Sequence, residues 1–179
     1  MPRLKLLLFD ANVVIELHRL GLWGKVIDQC DIYLTRTVAY DESQFWEDDC
    51  GQRYYFDLNN DIENGKIECI DISNLQLSKF FAKFSPVYLE KLDPGEAESL
   101  ALLVLRQEKW LISSADIIVY KVLGSLAMGD RGVSLEEVLI SIGMKRNDLD
   151  WQYTRRFREK YTKKGERDGI TGLGLSGSP

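Results

Sequence analysis

Residues 4 to 15 read Leu4-Lys5-Leu6-Leu7-Leu8-Phe9-Asp10-Ala11-Asn12-Val13-Val14-Ile15, and we expect the rest of the chain to fold around them. A short apolar run ends in Asp10, and a second apolar run with helical potential follows at once. This pattern predicts a buried strand that delivers Asp10 to its carboxyl end. In an open α/β sheet, ligands bind in the crevice outside the carboxyl ends of the strands. Asp10 is therefore the first candidate for chemistry, while a role as N-cap of the next helix explains its position equally well.

The composition indicates one globular domain. A chain of 179 residues with 45% hydrophobic content can bury a sizeable core. Its apolar runs are shorter than the roughly 20 residues needed to cross a bilayer, and the N-terminal run is too short for a signal sequence, so we expect a soluble, cytoplasmic protein with no membrane partner. Three cysteines without CxxC spacing argue against a disulfide framework and a zinc site, and a single histidine argues against a Ser-His-Asp triad.

Two more acidic positions follow predicted strands. Residues 31–37 are rich in β-formers and are followed by Asp41 and Glu42, and the predicted strand 109–113 is followed by Asp116 and an apolar helix. The alternation of strands and helices predicts an α/β fold with a parallel sheet covered on both faces. Because the carboxyl ends of parallel strands share one edge, these acids are expected to lie near Asp10.

A fourth acid comes from a strongly signalled helix start. The sequence Asp93-Pro94-Gly95-Glu96 supplies an N-cap acid, a proline at the first helical position and an acid at the third. The helix is predicted to run to about Gln107 and to be buried. Glu96 and Glu98 lie in its first turn, where the helix dipole favours carboxylates by roughly 0.3 to 1 kcal/mol, which is a sufficient structural explanation for one of them.

Carboxylates collected in one place repel one another, so such a site is stable mainly when it holds a cation. Ligands that are all oxygen atoms suit Mg²⁺ or Mn²⁺, which retain waters and bind phosphate oxygens. Metal-activated water beside a phosphodiester is hydrolytic chemistry. The acids therefore predict a metal-dependent hydrolase.

Three segments resemble motifs of the PIN-domain ribonucleases, many of which are toxins of bacterial toxin-antitoxin pairs. Phe9-Asp10-Ala11-Asn12 looks like the opening acid of the family, residues 93–102 are similar to the Gly-Glu helix start of one branch, and Ile112-Ser113-Ser114-Ala115-Asp116 is like the Thr-x-Asp element with serine in place of threonine. The resemblance covers about residues 4 to 142. It implies a three-layer α/β/α sandwich with a parallel sheet of about five strands. The sequence itself predicts a short strand near 132–134 that would complete this sheet.

The resemblance also implies roles for individual residues. Asp10, Glu96 and Asp116 would hold Mg²⁺ or Mn²⁺, with Asn12 and Ser114 as polar neighbours. The remaining acid would be Glu42, with Asp41 equally available, and Glu98 would be the alternative to Glu96. The implied function is a metal-dependent endoribonuclease that hydrolyses RNA, with a cognate antitoxin protein as partner and a homodimer as the assembly.

Two other functions remain open. An acid cluster after parallel strands also occurs in phosphohydrolase-like and receiver-like folds, where an aspartate accepts a phosphoryl group; those folds usually need a lysine near a later strand end, and no convincing one follows Lys109. The chain could also be an inactive member of the family that binds RNA or a protein partner without cleaving.

The PIN-like domain is assigned to residues 1–144, with an inserted β-hairpin at 53–72, because residues 53–58 and 66–72 alternate like strands around the turn signal Asn64-Gly65. A basic C-terminal helix, 145–168, follows. The Gly/Ser-rich segment 169–179 is expected to be disordered.

The body and the tail differ in charge. The net charge is −5, yet residues 145–179 contain nine Lys and Arg against five Asp and Glu. The dense basic run would hold the RNA backbone, and its removal beyond about Arg146 should weaken RNA binding but leave the acids intact. A solvated helix whose aromatic side chains pack on the domain is the simpler explanation, and we prefer it. The run consists of Arg155, Arg156, Arg158, Lys160, Lys163 and Lys164.

Overall fold

The computed structural model describes residues 4–106 and 108–176. Its strands are β1 (Leu4–Phe9), β2 (Cys30–Thr35), β3 (Phe45–Glu47), β4 (Arg53–Tyr55), β5 (Ile67–Ile70) and β6 (Leu111–Ser113). Its α-helices are α1 (Ala11–Arg19), α2 (Trp23–Gln29), α3 (Asn59–Glu63), α4 (Asn74–Phe81), α5 (Pro86–Leu89), α6 (Pro94–Leu105), α7 (Ile117–Ser125), α8 (Leu135–Ser141) and α9 (Arg155–Ile170). A π-helical turn spans Val38–Glu42, and 3₁₀ turns span Gly129–Arg131 and Trp151–Tyr153.

The central sheet is parallel and has the strand order β5-β2-β1-β6. Phe9 of β1 pairs with Ser113 of β6, and Thr35 of β2 pairs with Ile70 of β5. Asp10 and Ser114 therefore leave the sheet side by side, directly after two paired residues. The predicted strand that carries Asp10 is confirmed, and so is its place in a parallel sheet.

Helices cover both faces of this sheet. Leu7 and Phe9 pack into a core with α1, α2 and α8, and Leu8 packs into a second core with α4 to α7 and Phe157 of α9. Neighbouring side chains of a strand point to opposite faces, so a strand segment buried on both sides is continuously apolar, as Leu7, Leu8 and Phe9 of β1 are. The prediction of an α/β fold with a parallel sheet flanked by helices is confirmed.

The predicted inserted hairpin at 53–72 is wrong. The antiparallel pair in the structure is β3 with β4, whereas β5 joins the central sheet beside β2, with Ile32 opposite Ile67. The intervening residues form α3, and Gly65, at a φ of +67°, lies in the turn that follows it. Burial of Ile67 and Ile70 in the parallel sheet outweighs the local hairpin signal.

The expected fifth strand near 132–134 contributes one bridge. Gly132 pairs with Ile112 in parallel, and the Val133 N–H donates to the Ile112 carbonyl at 2.9 Å. Ser134 then becomes the N-cap of α8, which turns the chain away. The central sheet of the described residues therefore has four strands.

The C-terminal segment packs on the rest of the molecule. The basic helix predicted over 145–168 begins later, at Arg155, and lies against α7 along its length. Of the segment expected to be disordered, Leu175 pairs with Phe84, and the Ser85 N–H donates to the Gly174 carbonyl at 2.9 Å. Residues 177–179 lie outside the described residues, as does Gln107, where α6 was expected to end.

Among the described residues, no helix has both the length and the apolar character that a membrane span requires.

Candidate active site

Asp10 is buried at the carboxyl end of β1, with 2% of its surface exposed. Its Oδ1 accepts the Ala11 N–H at 2.8 Å, and its Oδ2 accepts the Ser114 hydroxyl at 2.9 Å. The residue therefore caps α1 and also belongs to a polar cluster. Burial raises the pKa of Asp10 to about 6, and the nearby carboxylates of Glu42 and Asp116 push it the same way, against the hydrogen bonds from Ser114 and Ala11.

Ser114 joins Asp10 to Asp116. Its Oγ donates to Asp10 and accepts the Asp116 N–H at 2.9 Å. The Asp116 side chain is half-buried and caps α7, where its Oδ1 accepts the Ile118 N–H at 2.9 Å. The Ser114 hydroxyl thus holds the loop that carries Asp116 against Asp10.

Tyr120 is a supporting residue that sequence reasoning missed. It is fully buried, and its hydroxyl donates to the Ser114 carbonyl at 2.8 Å. A single tyrosine within the aliphatic helix α7 was the only signal that could have shown a need for a polar partner there.

Of the acids in this cluster, Glu96 has the most strongly raised pKa. It is 2% exposed, its Oε2 accepts the Asp93 N–H at 3.1 Å, and its Oε1 is buried without a hydrogen-bond partner. Burial raises the pKa of Glu96 to about 9, and Asp10 and Asp116 raise it further by charge repulsion. Glu96 therefore lies within electrostatic reach of both strand-end acids.

Glu42 enters the cluster from the π-helical turn after β2. Its Oε1 accepts the Gly95 N–H at 3.0 Å, at the N-terminus of α6. A Cβ atom on Gly95 would lie 2.2 Å from Glu42 Oε2, so only glycine leaves room for this contact. Burial raises the pKa of Glu42, and the nearby charges of Asp93, Glu98 and Asp41 raise it further, against the hydrogen bond from Gly95. Asp93, which the sequence marked only as a helix cap, is therefore one of three acids that lie near Glu42.

The other predicted site residues lie at its edge. Asp41 is exposed. Glu98 accepts the Thr37 hydroxyl at 2.8 Å, and it is not among the main charges that raise the pKa of Asp10 or Glu96. Asn12 is exposed, and its Nδ2 lies 3.5 Å from Asp10 Oδ2, a long hydrogen bond. Glu42, and not Asp41, accepts the N–H at the N-terminus of α6, and Glu96 is the acid of this helix whose pKa Asp10 and Asp116 raise.

Two observations bear on metal binding. Among the described residues, no group of three or more His, Cys, Asp and Glu side chains is arranged to hold a metal ion. The chemistry of the donors nevertheless fits Mg²⁺ or Mn²⁺, because all are oxygen atoms and Glu96 Oε1 is a buried acceptor without a partner.

The basic residues of α9 have other partners. Arg158 makes two hydrogen bonds to Glu137, at 2.8 and 2.9 Å, and Arg155 donates to Glu159 at 2.7 Å. Arg156 and Lys160 are exposed, and the Lys160 amine lies 5.1 Å from the centre of the Tyr161 ring. The neighbouring rings of Tyr153 and Phe157 are buried, which agrees with the simpler explanation of a helix whose aromatic side chains pack on the domain.

Comparisons with protein-family models, with curated proteins and with solved structures find no match to this chain.

Proposed function

We propose that this protein is a metal-dependent endoribonuclease with a PIN-like fold. The observation that carries the proposal is the set of acids gathered at the carboxyl edge of the sheet. Ser114 bonds to both Asp10 and the Asp116 loop. Glu96, whose Oε1 is buried without a partner, lies close enough to both carboxylates for their charges to raise its pKa. Buried like charges are costly unless they are protonated or paired with a cation. A divalent ion is the counter-charge that this set of oxygen atoms suits.

In this proposal Asp10, Glu96 and Asp116 hold the ion. A bound Mg²⁺ or Mn²⁺ would polarise the scissile phosphate and lower the pKa of a coordinated water. Ser114 keeps Asp10 and the Asp116 loop in position through its two hydrogen bonds. Glu42 is half-buried and has a raised pKa, so its carboxylate is a stronger base than that of an ordinary glutamate and is suited to take the proton of the attacking water.

The role as a toxin, with an antitoxin as partner and a homodimer as the assembly, follows from the family resemblance alone. A small neighbouring gene upstream, with the sequence pattern of a DNA-binding protein, would support it. An isolated gene would leave a ribonuclease without a cognate inhibitor.

The test is cleavage of a fluorescent single-stranded RNA in Mn²⁺ and in EDTA. We expect cleavage by the wild type only with the metal, and a loss of at least about 100-fold in rate for Asp10→Asn and Asp116→Asn, because each removes a charged ligand worth several kcal/mol of transition-state stabilisation. Glu63→Gln, which changes an exposed acid of α3, is the matched control and should cleave like the wild type.

Other outcomes have distinct meanings. Equal cleavage in EDTA, or a wild-type rate for Asp10→Asn, would contradict the proposal. If Mn²⁺ raises the melting temperature of the wild type but not of Asp10→Asn, and no RNA is cut, the inactive binding module is the correct function.

A further inference from the structure

A cleft of about 510 Å³ opens beside Asp116, on the side of α7 that faces α9. Three lysines from three different elements line it: Lys91 from the α5–α6 loop, Lys121 from α7 and Lys164 from α9. The chain as a whole has a net charge of −5, so three converging lysines beside an acid cluster are not expected from composition.

The three lysines are held in different ways. The Lys121 amine lies 2.6 Å from the Asp168 carboxylate, and both side chains are mostly buried, so this lysine is fixed in place and part of its charge is offset. Lys91 and Lys164 are exposed and carry their charge at the rim. Lys164 also faces Asp168 closely enough to lower the pKa of that carboxyl. The cleft is therefore lined by one mostly buried lysine that is paired with Asp168 and by two exposed lysines.

The remaining walls suit a sugar or a base better than a second charge. Ile117, whose side chain is partly exposed, and the ring of Tyr161 line the cleft together with Asp116. A nucleic acid strand presents this mixture, with a phosphate at each step and an apolar face between phosphates. Asp116 stands at the border between the cleft and the acid cluster.

We propose that Lys91, Lys121 and Lys164 form a subsite for a backbone phosphate of an RNA strand, next to the phosphate that is cleaved at the acids. This inference rests on the proposed ribonuclease function and adds the residues that position the substrate. An acidic protein needs such contacts, because the acid cluster itself repels the RNA backbone. The proposed subsite lies in the cleft beside α7. It does not include Arg155 and Arg158, which are already paired with glutamates.

The test compares two double variants of the full chain. Lys91→Ala/Lys164→Ala removes the two accessible cations and leaves Lys121 with its partner. Lys25→Ala/Lys79→Ala removes two exposed lysines that do not line the cleft and makes the same change in net charge. Circular dichroism shows whether both variants are folded.

Binding of a fluorescein-labelled uridine decamer in EDTA is measured over a salt series. We expect the cleft variant to bind about tenfold more weakly at low salt, with the slope of log K against log salt reduced by roughly 0.7, since each neutralised phosphate of a single strand contributes about 0.7. The Lys25/Lys79 variant should bind nearly as the wild type does. In Mn²⁺, the cleft variant should raise KM about tenfold and leave kcat within about twofold.

The outcomes separate the subsite from the chemistry. If the wild type cleaves RNA and the cleft variant binds and cleaves like the Lys25/Lys79 variant, the subsite is overturned and the ribonuclease function stands. If no cleavage occurs but RNA affinity depends on Lys91 and Lys164, the subsite stands and the ribonuclease function fails. A wild type that does not bind RNA, or a cleft that binds inorganic phosphate but not RNA, overturns the subsite.

Discussion

Burial of the Glu96 carboxyl couples the stability of the protein to pH. Its pKa is raised to about 9 from an ordinary 4.5, so the folded state holds a proton that the unfolded state has lost across this range. A state that binds more protons is favoured at low pH, and the free energy of unfolding therefore falls as pH rises from about 4.5 to about 9. The pKa of Asp10 is raised to about 6 from 3.8, so this residue also lowers the free energy of unfolding as pH rises, over a pH range that is lower and narrower than that of Glu96.

Replacement of Glu96 by glutamine should therefore stabilise the metal-free protein while abolishing its proposed chemistry. Gln keeps the shape of a protonated Glu and needs no proton. At pH 8 in EDTA we expect a gain on the order of a few kcal/mol, which for a chain of this size is a rise in melting temperature of several degrees. At pH 4.5 the wild type and Glu96→Gln should melt at nearly the same temperature.

Glu98→Gln is the matched control, because Glu98 lies in the same helical turn and its carboxylate is already bonded to the Thr37 hydroxyl. It should show no gain at pH 8. A Glu96→Gln variant that melts below the wild type at pH 8 would show that the carboxylate is ionised and paired there, which contradicts the buried, protonated state.

Site residues could be predicted from the sequence where their position depends only on neighbouring residues. Asp10 and Asp116 could be found because each caps a helix directly after a buried strand and the strand ends must share an edge, and Glu96 could be found because it lies in the first turn of a strongly signalled helix. The contribution of Tyr120 could not be found in the same way, since its hydroxyl bonds to a carbonyl that packing brings near it. The choice of Glu42 over Asp41 likewise depends on the contact with Gly95, 53 positions away in sequence.

At the scale of elements, α7 and α9 approach closely because glycine lies at the contact on both helices. A Cβ atom added to Gly165 would lie 2.1 Å from the Lys121 carbonyl oxygen, and one added to Gly124 would lie 2.1 Å from the Thr162 carbonyl oxygen. Both obstacles are backbone atoms, which cannot rotate away as a side chain can. The two helices would have to separate to admit a methyl group.

Gly165→Ala should therefore destabilise the protein although alanine favours helices. Overpacking of a tight contact typically costs 1 to 3 kcal/mol, so we expect the melting temperature to fall by roughly 2 to 10 °C in a thermal scan. Gly24→Ala is the control, because a Cβ atom at this helical position meets nothing within 4 Å. It should gain up to about 1 kcal/mol. Equal behaviour of the two variants would mean that the helices are not in close contact.

The wrong hairpin has a physical reason at the same scale. Residues 53–58 and 66–72 alternate, and Asn64-Gly65 signals a turn, so the local pattern favoured an antiparallel pair. Parallel pairing of β5 with β2 depends on residues 35 positions apart, Ile32 and Ile67. Such pairing cannot be recognised from the local sequence. Short strands give the alternation too few residues to reveal which partner they have.

At the scale of the whole molecule, the basic helix α9 is part of the folded body. Asp168 of α9 accepts the Tyr88 hydroxyl at 2.9 Å and lies 2.6 Å from the Lys121 amine, so one carboxylate joins α5, α7 and α9. Phe157 is buried, and its ring lies 6.1 Å from that of Tyr120, edge to face. Tyr120 in turn holds Ser114, which connects the packing of α9 to the acid cluster.

Removal of every residue after Arg146 should therefore disrupt the fold and the acid cluster together, in contrast to the sequence-based expectation that only RNA binding would suffer. The truncation takes away the ring of Phe157, leaves the mostly buried Lys121 without its ion pair with Asp168, and exposes the glycine face of α7. Loss of a buried aromatic side chain such as Phe157 typically costs about 3 to 5 kcal/mol, and the apolar surface that α9 covers would be exposed to water as well. Since single domains are stable by only about 5 to 15 kcal/mol, we expect the truncated chain to lose its cooperative thermal transition. A chain that ends at Ser176 keeps all of these contacts and should retain a cooperative thermal transition. If the truncated chain instead melts cooperatively near the wild-type temperature, then α9 is a separable appendage, and the effect of the tail on RNA can be measured by deletion after all.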